Sequence, residues 1–205
     1  MLNTPPIRGP LRKRDSSLWQ READDWYVEP PWVSLRLFEE ETFNGSICDP
    51  ACGGGNIIRS AQAHGFYQFP MDIIERDETL GCEIVDWLQP WSRQFDNIVS
   101  NPPFKLCDDR KTATHPFVQR CLERARSKVA LLLPANWIQG DARSRWLETT
   151  PLLRVWFISP RPSMPPGQII EAGLSPGNGT TDYAWFVWLM GYDGRPEVRW
   201  LRKKP

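Results

Sequence analysis

Short apolar runs alternate with amphipathic stretches through the middle of the chain. The runs typical of buried strands are FDNIVS (95–100), KVALLLP (128–134), LLRVWFIS (152–159) and YAWFVWLM (183–190). Shorter strand candidates, bounded by turn residues, are GSICD (45–49), YQFPMDI (67–73), CEIVDWL (82–88) and EVRWL (197–201).

Between these strands, apolar residues recur with the three- to four-residue spacing of helices. This spacing predicts helices over 31–41, 53–65, 115–127 and 140–150. In the first of them Trp32, Leu35 and Phe38 fall on one side, which predicts that this side faces the core. The alternation of strand and helix predicts an α/β fold with a doubly wound, mostly parallel sheet and helices on both faces. Ligands of such sheets bind beyond the carboxyl ends of the strands, so polar residues at those ends are the first candidates for a site.

The first predicted strand ends in an acid that is followed by a glycine-rich turn, DPACGGGN (49–56). Glycines allow a ligand to approach the backbone closely, and the N-terminus of the following helix carries partial positive charge. The diphosphate-binding pattern GxGxxG does not fit, because no glycine lies three residues beyond Gly55. Asp49 would repel a diphosphate but would pair with an ammonium group. A zwitterion such as the methionine end of S-adenosylmethionine satisfies both charges, and a purely structural turn is the alternative.

Two further acids end the second and third predicted strands. Asp72 lies 23 residues after Asp49, close to the separation of one βαβ step, and can accept hydrogen bonds from both hydroxyls of a ribose. Asp86 can accept a hydrogen bond from an adenine amino group while Trp87 packs on the ring. Acids at strand ends are also common as capping residues, so these predictions depend on the neighbouring clusters.

The fourth predicted strand ends in the tetrapeptide NPPF (101–104). Its prolines lack a backbone N–H and end the strand in a stiff, extended turn. The side-chain carbonyl of Asn101 and the backbone carbonyl of Pro102 then offer two fixed acceptors for the hydrogens of a planar amine, and Pro103 keeps them rigid. Phe104 offers a face on which a base stacks. Such an arrangement aims the lone pair of the amine at a methyl donor; an ordinary turn after the strand is the alternative.

Composition restricts these possibilities. The 205 residues carry 25 basic and 25 acidic side chains, so a nucleic-acid surface has to be a local patch. The polar, basic segment 1–24 is predicted to be irregular and to precede a single domain over 25–205. No apolar run is long enough to span a membrane and no secretory signal is present, which predicts a cytoplasmic protein. No metal site is predicted, because there are only two histidines and no CxxC pair among Cys48, Cys52, Cys82, Cys107 and Cys121.

Together these motifs resemble the amino methyltransferases that use S-adenosylmethionine, most closely the N6-adenine DNA methyltransferases, including phage and prophage members. The resemblance covers roughly residues 24–190 and rests on DWYVEPPW (25–32), DPACGGG (49–55), NPPF (101–104), RPSMPPG (161–167) and DYAWFVW (182–188). It implies a Rossmann-like class I methyltransferase fold with a seven-stranded, mostly parallel sheet and one antiparallel late strand. It also implies S-adenosylmethionine as cofactor and DNA as partner.

The resemblance implies residue roles by position. The catalytic residues would be Asn101, Pro102, Pro103 and Phe104. The cofactor-binding residues would be Tyr27, Glu29, Pro30, Asp49, Pro50, Ala51, Cys52, Gly53, Gly55, Asp72, Ile73, Asp86, Trp87 and Asn101. The chain departs from many family members in lacking a separate target-recognition region, which leaves the loops 105–114 and 160–181 for that role. The substrate-binding candidates are Phe104 for the base and Lys105 and Arg161 for phosphates, with Arg110 and Lys111 as further basic candidates; each charge is equally consistent with a solvated surface.

The sequence thus predicts methyl transfer to the N6 amine of adenine in DNA after base flipping. Adenine or guanine in RNA and a glutamine amide in a protein are alternative acceptors, since NPPF serves all of these planar amines. Phe104 and the DYAWFVW segment favour DNA adenine. A catalytically idle cofactor-binding module is disfavoured by the intact Asn101, and a nicotinamide-dependent oxidoreductase by the glycine spacing.

Overall fold

The computed structural model describes residues 26–109, 112, 114–173 and 179–205. Its strands form a single sheet. In chain order they are β1 (Ile47–Asp49), β2 (Gln68–Asp72), β3 (Glu83–Ile84), β4 (Phe95–Ser100), β5 (Ala125–Pro134), β6 (Leu152–Ser159), β7 (Tyr183–Leu189) and β8 (Glu197–Arg202). The predicted irregular segment 1–24 lies outside the described residues, as do Arg110 and Lys111.

The strand order in the sheet is β3-β2-β1-β4-β5-β7-β6-β8. β7 runs antiparallel to its neighbours β5 and β6, and the other neighbouring strands in the described part of the chain pair in parallel. The predicted mostly parallel sheet with one antiparallel late strand is therefore confirmed. The predicted count of seven strands is wrong, because the segment 197–202 pairs in parallel with β6 and adds an eighth strand at the edge.

Helices cover both faces of the sheet, as predicted. α1 (Pro31–Glu40) and α2 (Asn56–Ala63) pack on one face, and α3 (Pro116–Arg124) and α4 (Asp141–Leu147) pack on the other. A short helix, α5 (Gly167–Glu171), lies in the loop between β6 and β7. No helix in the described ranges is both long and apolar enough to cross a membrane.

Helix α1 turns a different side to the core from the predicted one. Val33 and Leu37 are fully buried, whereas Trp32 and Leu35 are only partly buried. Of the predicted inward residues only Phe38 is buried, so that prediction is wrong in part. The reason is that α1 contacts both α2 and β8, and these two elements together bury the side of α1 that carries Val33 and Leu37.

Strand β3 forms one edge of the sheet and is shorter than the predicted segment 82–88. It contains only Glu83 and Ile84, both of which are exposed. The chain turns after it because Oδ1 of Asp86 accepts a hydrogen bond from the Leu88 amide at 3.0 Å, which is the geometry of an Asx turn. Asp86 therefore lies in a turn just beyond the carboxyl end of β3.

Candidate active site

A cavity of about 420 Å³ opens at the edge of the sheet where the carboxyl ends of β1, β2 and β4 meet. Fifteen of the predicted site residues line it, namely Tyr27, Glu29, Asp49, Pro50, Ala51, Cys52, Gly53, Gly55, Asp72, Ile73, Asp86, Trp87, Asn101, Pro103 and Lys105. Pro30, Pro102, Phe104 and Arg161 are not among its lining residues. The structure thus brings the three clusters at the strand ends to one cavity.

The glycine-rich turn after β1 has a backbone conformation that favours glycine. Gly53 and Gly55 have φ angles of 50° and 83°. The Gly53 amide donates to the Asp72 carboxylate at 2.8 Å, and the Cys52 amide donates to the Met71 carbonyl oxygen at 2.9 Å. These two hydrogen bonds hold the turn against the end of β2, where it forms one wall of the cavity.

Asp49, the last residue of β1, is almost entirely buried. Its Oδ1 accepts hydrogen bonds from the Ser100 hydroxyl at 2.7 Å and from the Ala51 amide at 3.1 Å, and the first of these ties β1 to β4. Burial raises the pKa of the Asp49 carboxyl well above its usual value, and the charges of Glu29 and Asp72 raise it further against the effect of the two hydrogen bonds. A cationic group bound beside Asp49 would therefore favour its ionised form.

The Asn101 amide is held by two acceptors from the segment before α1. Its Nδ2 donates to the Tyr27 carbonyl oxygen at 2.7 Å and to the Glu29 carboxylate at 2.8 Å. Because the Tyr27 carbonyl and an ionised Glu29 carboxylate only accept hydrogen bonds, the amide nitrogen faces them and Oδ1 points away from them. No residue of the described part of the chain donates a hydrogen bond to this Oδ1, so the oxygen is available to a bound amine.

Glu29 combines a fixed position with an unusual protonation equilibrium. The side chain of Asn56 donates to the Glu29 carbonyl oxygen at 2.7 Å, which ties the segment before α1 to α2. Burial raises the pKa of Glu29 from 4.5 to about 7, although hydrogen bonds from its own backbone amide and from Asn101 act in the opposite direction. The carboxyl beside the Asn101 amide therefore titrates near neutral pH.

Three aromatic rings surround the end of the NPPF segment. The rings of Tyr27 and Phe104 are nearly parallel, at 9°, with centroids 6.4 Å apart. The ring of Tyr183, at the start of β7, lies 6.0 Å from that of Phe104. Phe104 is partly buried against both faces of the core and begins a short 3-10 helix (Phe104–Leu106). In the aromatic group of Tyr27, Phe104 and Tyr183, the rings of Tyr27 and Phe104 thus remain partly exposed at the end of the NPPF segment, while Tyr183 is buried.

A buried arginine of α3 anchors the turn that carries Asp86 and Trp87. Arg124 donates hydrogen bonds to the carbonyl oxygens of Trp87 and Gln89, and its guanidinium lies 4.4 Å from the centre of the Trp87 ring. Trp87 lines the cavity but is only 3% exposed, and it packs among residues of the core. Its contact with an adenine ring stays a prediction, and the indole has a structural function as well.

The sequence analysis gave no site role to several residues that line the cavity, among them Trp26 and Arg76. The guanidinium of Arg76 lies 4.2 Å from the centre of the Trp26 ring. Trp26 fits because of two glycines: a Cβ on Gly53 would lie 2.8 Å from the indole nitrogen, and one on Gly167 would lie 2.3 Å from ring carbons. The sequence does show a glycine in each of these two loops, which indicates a close contact there, but it does not show that the contacting side chain is Trp26.

The two predicted phosphate-binding residues lie in different surroundings. Lys105 is exposed and lines the cavity. Arg161 is exposed outside it and pairs with Asp182, with Nε 2.5 Å from one carboxylate oxygen and a second nitrogen 3.3 Å from the other. Because Lys105 lines the cavity and Arg161 does not, Lys105 has the better position for a substrate that enters the cavity. Both roles stay predictions.

The buried carboxyl of Glu29 predicts how the stability of the ligand-free protein depends on pH. Because its pKa is raised in the folded state, the folded protein binds more protons than the unfolded chain between pH 4.5 and about 7, and the free energy of unfolding falls as the pH rises through that range. In Glu29→Gln, which has no carboxyl to titrate, we expect the free energy of unfolding to decrease by up to about 3 kcal/mol less over this pH range than in the wild type. Urea unfolding at about pH 5 and about pH 8 tests this, and an identical fall in both proteins would contradict it.

The chain has the Rossmann-like fold of the class I S-adenosylmethionine-dependent methyltransferases, as its structural neighbours show. A protein of Listeria monocytogenes assigned to that class matches with a TM-score of 0.52 and 13% identity, over 83% of this chain and 62% of that chain. The M protein of the type I restriction enzyme EcoKI matches with a TM-score of 0.58 and 11% identity, over 88% of this chain and 49% of that one.

A protein of Pyrococcus horikoshii assigned as an RNA methyltransferase also matches, with a TM-score of 0.52 and 17% identity, over 78% of this chain and 80% of that one. The chain spans less than two thirds of the length of the Listeria and EcoKI proteins. No protein-family model and no curated protein sequence matches it. At these identities the likeness shows the fold.

Proposed function

We propose that the protein transfers a methyl group from S-adenosylmethionine to the N6 amine of adenine in DNA. The observation that carries this proposal is the orientation of the Asn101 amide, whose nitrogen is bound by Tyr27 and Glu29 and whose oxygen is left as an acceptor at the cavity. The fold that it shares with methyltransferases supports the same chemistry.

The residues that line the cavity fit S-adenosylmethionine, which when bound supplies a methyl group activated by a sulfonium centre. The cavity contains buried carboxyls, Glu29 and Asp49, whose raised pKa shows that their ionised forms are under-stabilised in the free protein. A ligand with sulfonium and ammonium charges would stabilise them. Asp72 would hold the ribose hydroxyls and Asp86 the adenine amino group, and Gly53 lets the backbone approach the ligand closely.

The acceptor amine needs two hydrogen-bond acceptors because its lone pair is delocalised into the base. Oδ1 of Asn101 and the Pro102 carbonyl oxygen would accept its two hydrogens and turn the lone pair out of the ring plane. Pro102 is buried and does not itself line the cavity, but it directly follows Asn101, and Pro103 restricts the backbone after it, so this pair of acceptors needs little reorganisation. Phe104 would support the flipped base by stacking. The methylated nitrogen then loses one proton to water, and no general base is required.

Adenine in DNA is the acceptor that we favour. The DYAWFVW segment becomes β7, which brings Tyr183 against Phe104 beside the NPPF turn. Lys105 offers a positive charge for a phosphate at the cavity. Of the similar solved structures, one is the M protein of a restriction enzyme and another is assigned as an RNA methyltransferase, so a base in RNA is the main alternative.

Incubation with S-adenosylmethionine carrying a labelled methyl group tests the proposal. Unmethylated DNA, RNA and a protein extract are supplied in parallel, and the labelled products are identified by mass spectrometry. We expect labelled N6-methyladenine in DNA, and at least about 100-fold less of it when Asn101→Ala replaces the wild-type protein.

Three other outcomes would overturn parts of the proposal. Label in an RNA base or in a glutamine residue would keep the chemistry and replace the acceptor. Binding of S-adenosylhomocysteine without any labelled product would favour an idle cofactor-binding module. Failure to bind S-adenosylhomocysteine in calorimetry would overturn the proposal as a whole.

A further inference from the structure

We propose that Glu29 is a positioning residue: its carboxylate and the Tyr27 carbonyl hold the nitrogen of the Asn101 amide, so that only the amide oxygen meets the acceptor amine. This inference rests on the proposed methyl transfer. It gives Glu29 a function beyond the cofactor binding that the family resemblance implies.

The argument begins with the two orientations of an asparagine amide. Rotation about the terminal torsion exchanges oxygen and nitrogen at little intrinsic cost, so the surroundings have to select one of them. In the observed orientation Nδ2 lies 2.7 Å from the Tyr27 carbonyl oxygen and 2.8 Å from the Glu29 carboxylate. The opposite orientation would place Oδ1 against these two acceptors and aim two N–H groups at the amine. That orientation loses the hydrogen bonds and cannot accept from the substrate.

Glu29 is suited to this function because its own position is fixed. It is 5% exposed, and its backbone carbonyl accepts from the Asn56 side chain at 2.7 Å. One residue earlier, the Val28 amide donates to the Pro165 carbonyl oxygen at 3.0 Å, and one residue later Pro30 caps α1. A rigid second layer of this kind lets a reactive group keep its geometry without reorganising.

The protonation state of Glu29 decides how strictly it selects the amide orientation. An ionised carboxylate only accepts hydrogen bonds, whereas a protonated one can also donate to Oδ1 and so tolerate the wrong orientation. Other titratable or charged groups line the same cavity. They come from the segment before α1, from the ends of β1 and β2, from the loops that follow β1, β2 and β3, and from the segment after NPPF. In chain order they are Tyr27, Asp49, Cys52, Asp72, Arg76, Asp86 and Lys105. Glu29→Gln leaves all of these in place, removes the Glu29 titration, and removes the part of the raised Asp49 pKa that the Glu29 charge causes.

The first test observes the amide itself and requires no activity. The side-chain NH₂ signals of asparagine are recorded by NMR on ¹⁵N-labelled, ligand-free protein, and the Asn101 pair is assigned by its loss in Asn101→Ala. In the wild type we expect these hydrogens to exchange slowly with solvent and their shifts to change with a midpoint near pH 7. Glu29→Gln should keep the protection without the titration, and Glu29→Ala should exchange about tenfold faster or more.

The second test compares the two neutral variants in methyl transfer, because both lose the charge of Glu29 and only Glu29→Gln keeps an acceptor oxygen at the end of the side chain. We expect both to lose the same affinity for S-adenosylhomocysteine. At saturating cofactor and DNA, Glu29→Ala should lower the single-turnover rate about 10- to 100-fold, whereas Glu29→Gln should restore most of it. The wild-type rate should fall as the pH drops below the Glu29 pKa, and the rate of Glu29→Gln should stay flat.

Glu148→Gln, which removes an exposed carboxylate outside the cavity, is the matched control and should behave as the wild type in both tests. Equal rates for Glu29→Gln and Glu29→Ala would show that Glu29 acts only through its charge on the cofactor, and would overturn the inference. Unchanged Asn101 signals in Glu29→Ala would overturn it independently. If the wild type methylates no acceptor, the proposed function fails, while the NMR test still decides whether Glu29 orients the amide.

Discussion

Replacing Asn101 with alanine is expected to lower the single-turnover rate of methyl transfer about 100- to 1,000-fold. Alanine removes Oδ1, the acceptor that Tyr27 and Glu29 orient by binding the amide nitrogen. Without it the amine keeps its lone pair in the plane of the base, where the lone pair is a poor nucleophile. The affinity for S-adenosylhomocysteine should change by less than about threefold, because the loss falls on the reacting amine. Rapid quenching with labelled cofactor gives the rate, and calorimetry gives the affinity.

Two variants make this expectation specific. Asn101→Asp keeps an oxygen in place but sets a second carboxyl against Glu29, and it should be as slow as alanine if the neutral amide is required. Asn44→Ala removes an exposed asparagine that does not line the cavity, and it should retain the wild-type rate. An Asn101→Ala rate within about tenfold of the wild type would show that the amide does not activate the amine.

The strands and their polar ends could be predicted because each signal is local. Segments 95–100 and 152–159 have the predicted bounds, since short, mostly apolar segments bounded by polar or turn residues mark buried strands. Once the sheet is parallel, the carboxyl ends of its strands have to meet at one edge. That rule is enough to bring Asp49, Asp72 and Asn101 to the same cavity, although they are far apart in the sequence.

The features that were not predicted depend on tertiary partners. Nothing in the periodicity of α1 shows that β8 packs beside it, so its buried side was assigned around Leu35 instead of Leu37. The hydrogen bond between Asn101 and Glu29 joins residues 72 positions apart, and no sequence period encodes it. The stacking of Arg76 on Trp26 likewise depends on how two loops meet. Local pattern thus locates the elements of the site, and long-range contacts orient its groups.

The second large effect is expected at the carboxyl end of β2, where Asp72→Ala should weaken binding of S-adenosylhomocysteine about 100-fold or more. A hydrogen bond to a charged group contributes about 1.5 to 3 kcal/mol, and two ribose hydroxyls therefore account for about 3 kcal/mol or more, which is at least about 100-fold in affinity. Calorimetry with the complete ligand measures this loss. Asp193→Ala, which removes an exposed carboxylate outside the cavity, is the control and should bind as the wild type.

Asp72 also has a structural function, and the experiment has to separate the two. Its oxygens already accept from the Gly53 amide at 2.8 Å and from the Ile74 amide at 3.1 Å, so alanine also releases the glycine turn. A ligand that lacks both ribose hydroxyls distinguishes the contributions. If Asp72 binds the ribose, the wild type discriminates between the two ligands and Asp72→Ala does not. If the wild type binds both equally while the variant weakens both, Asp72 acts only by holding Gly53, and it is not a cofactor ligand.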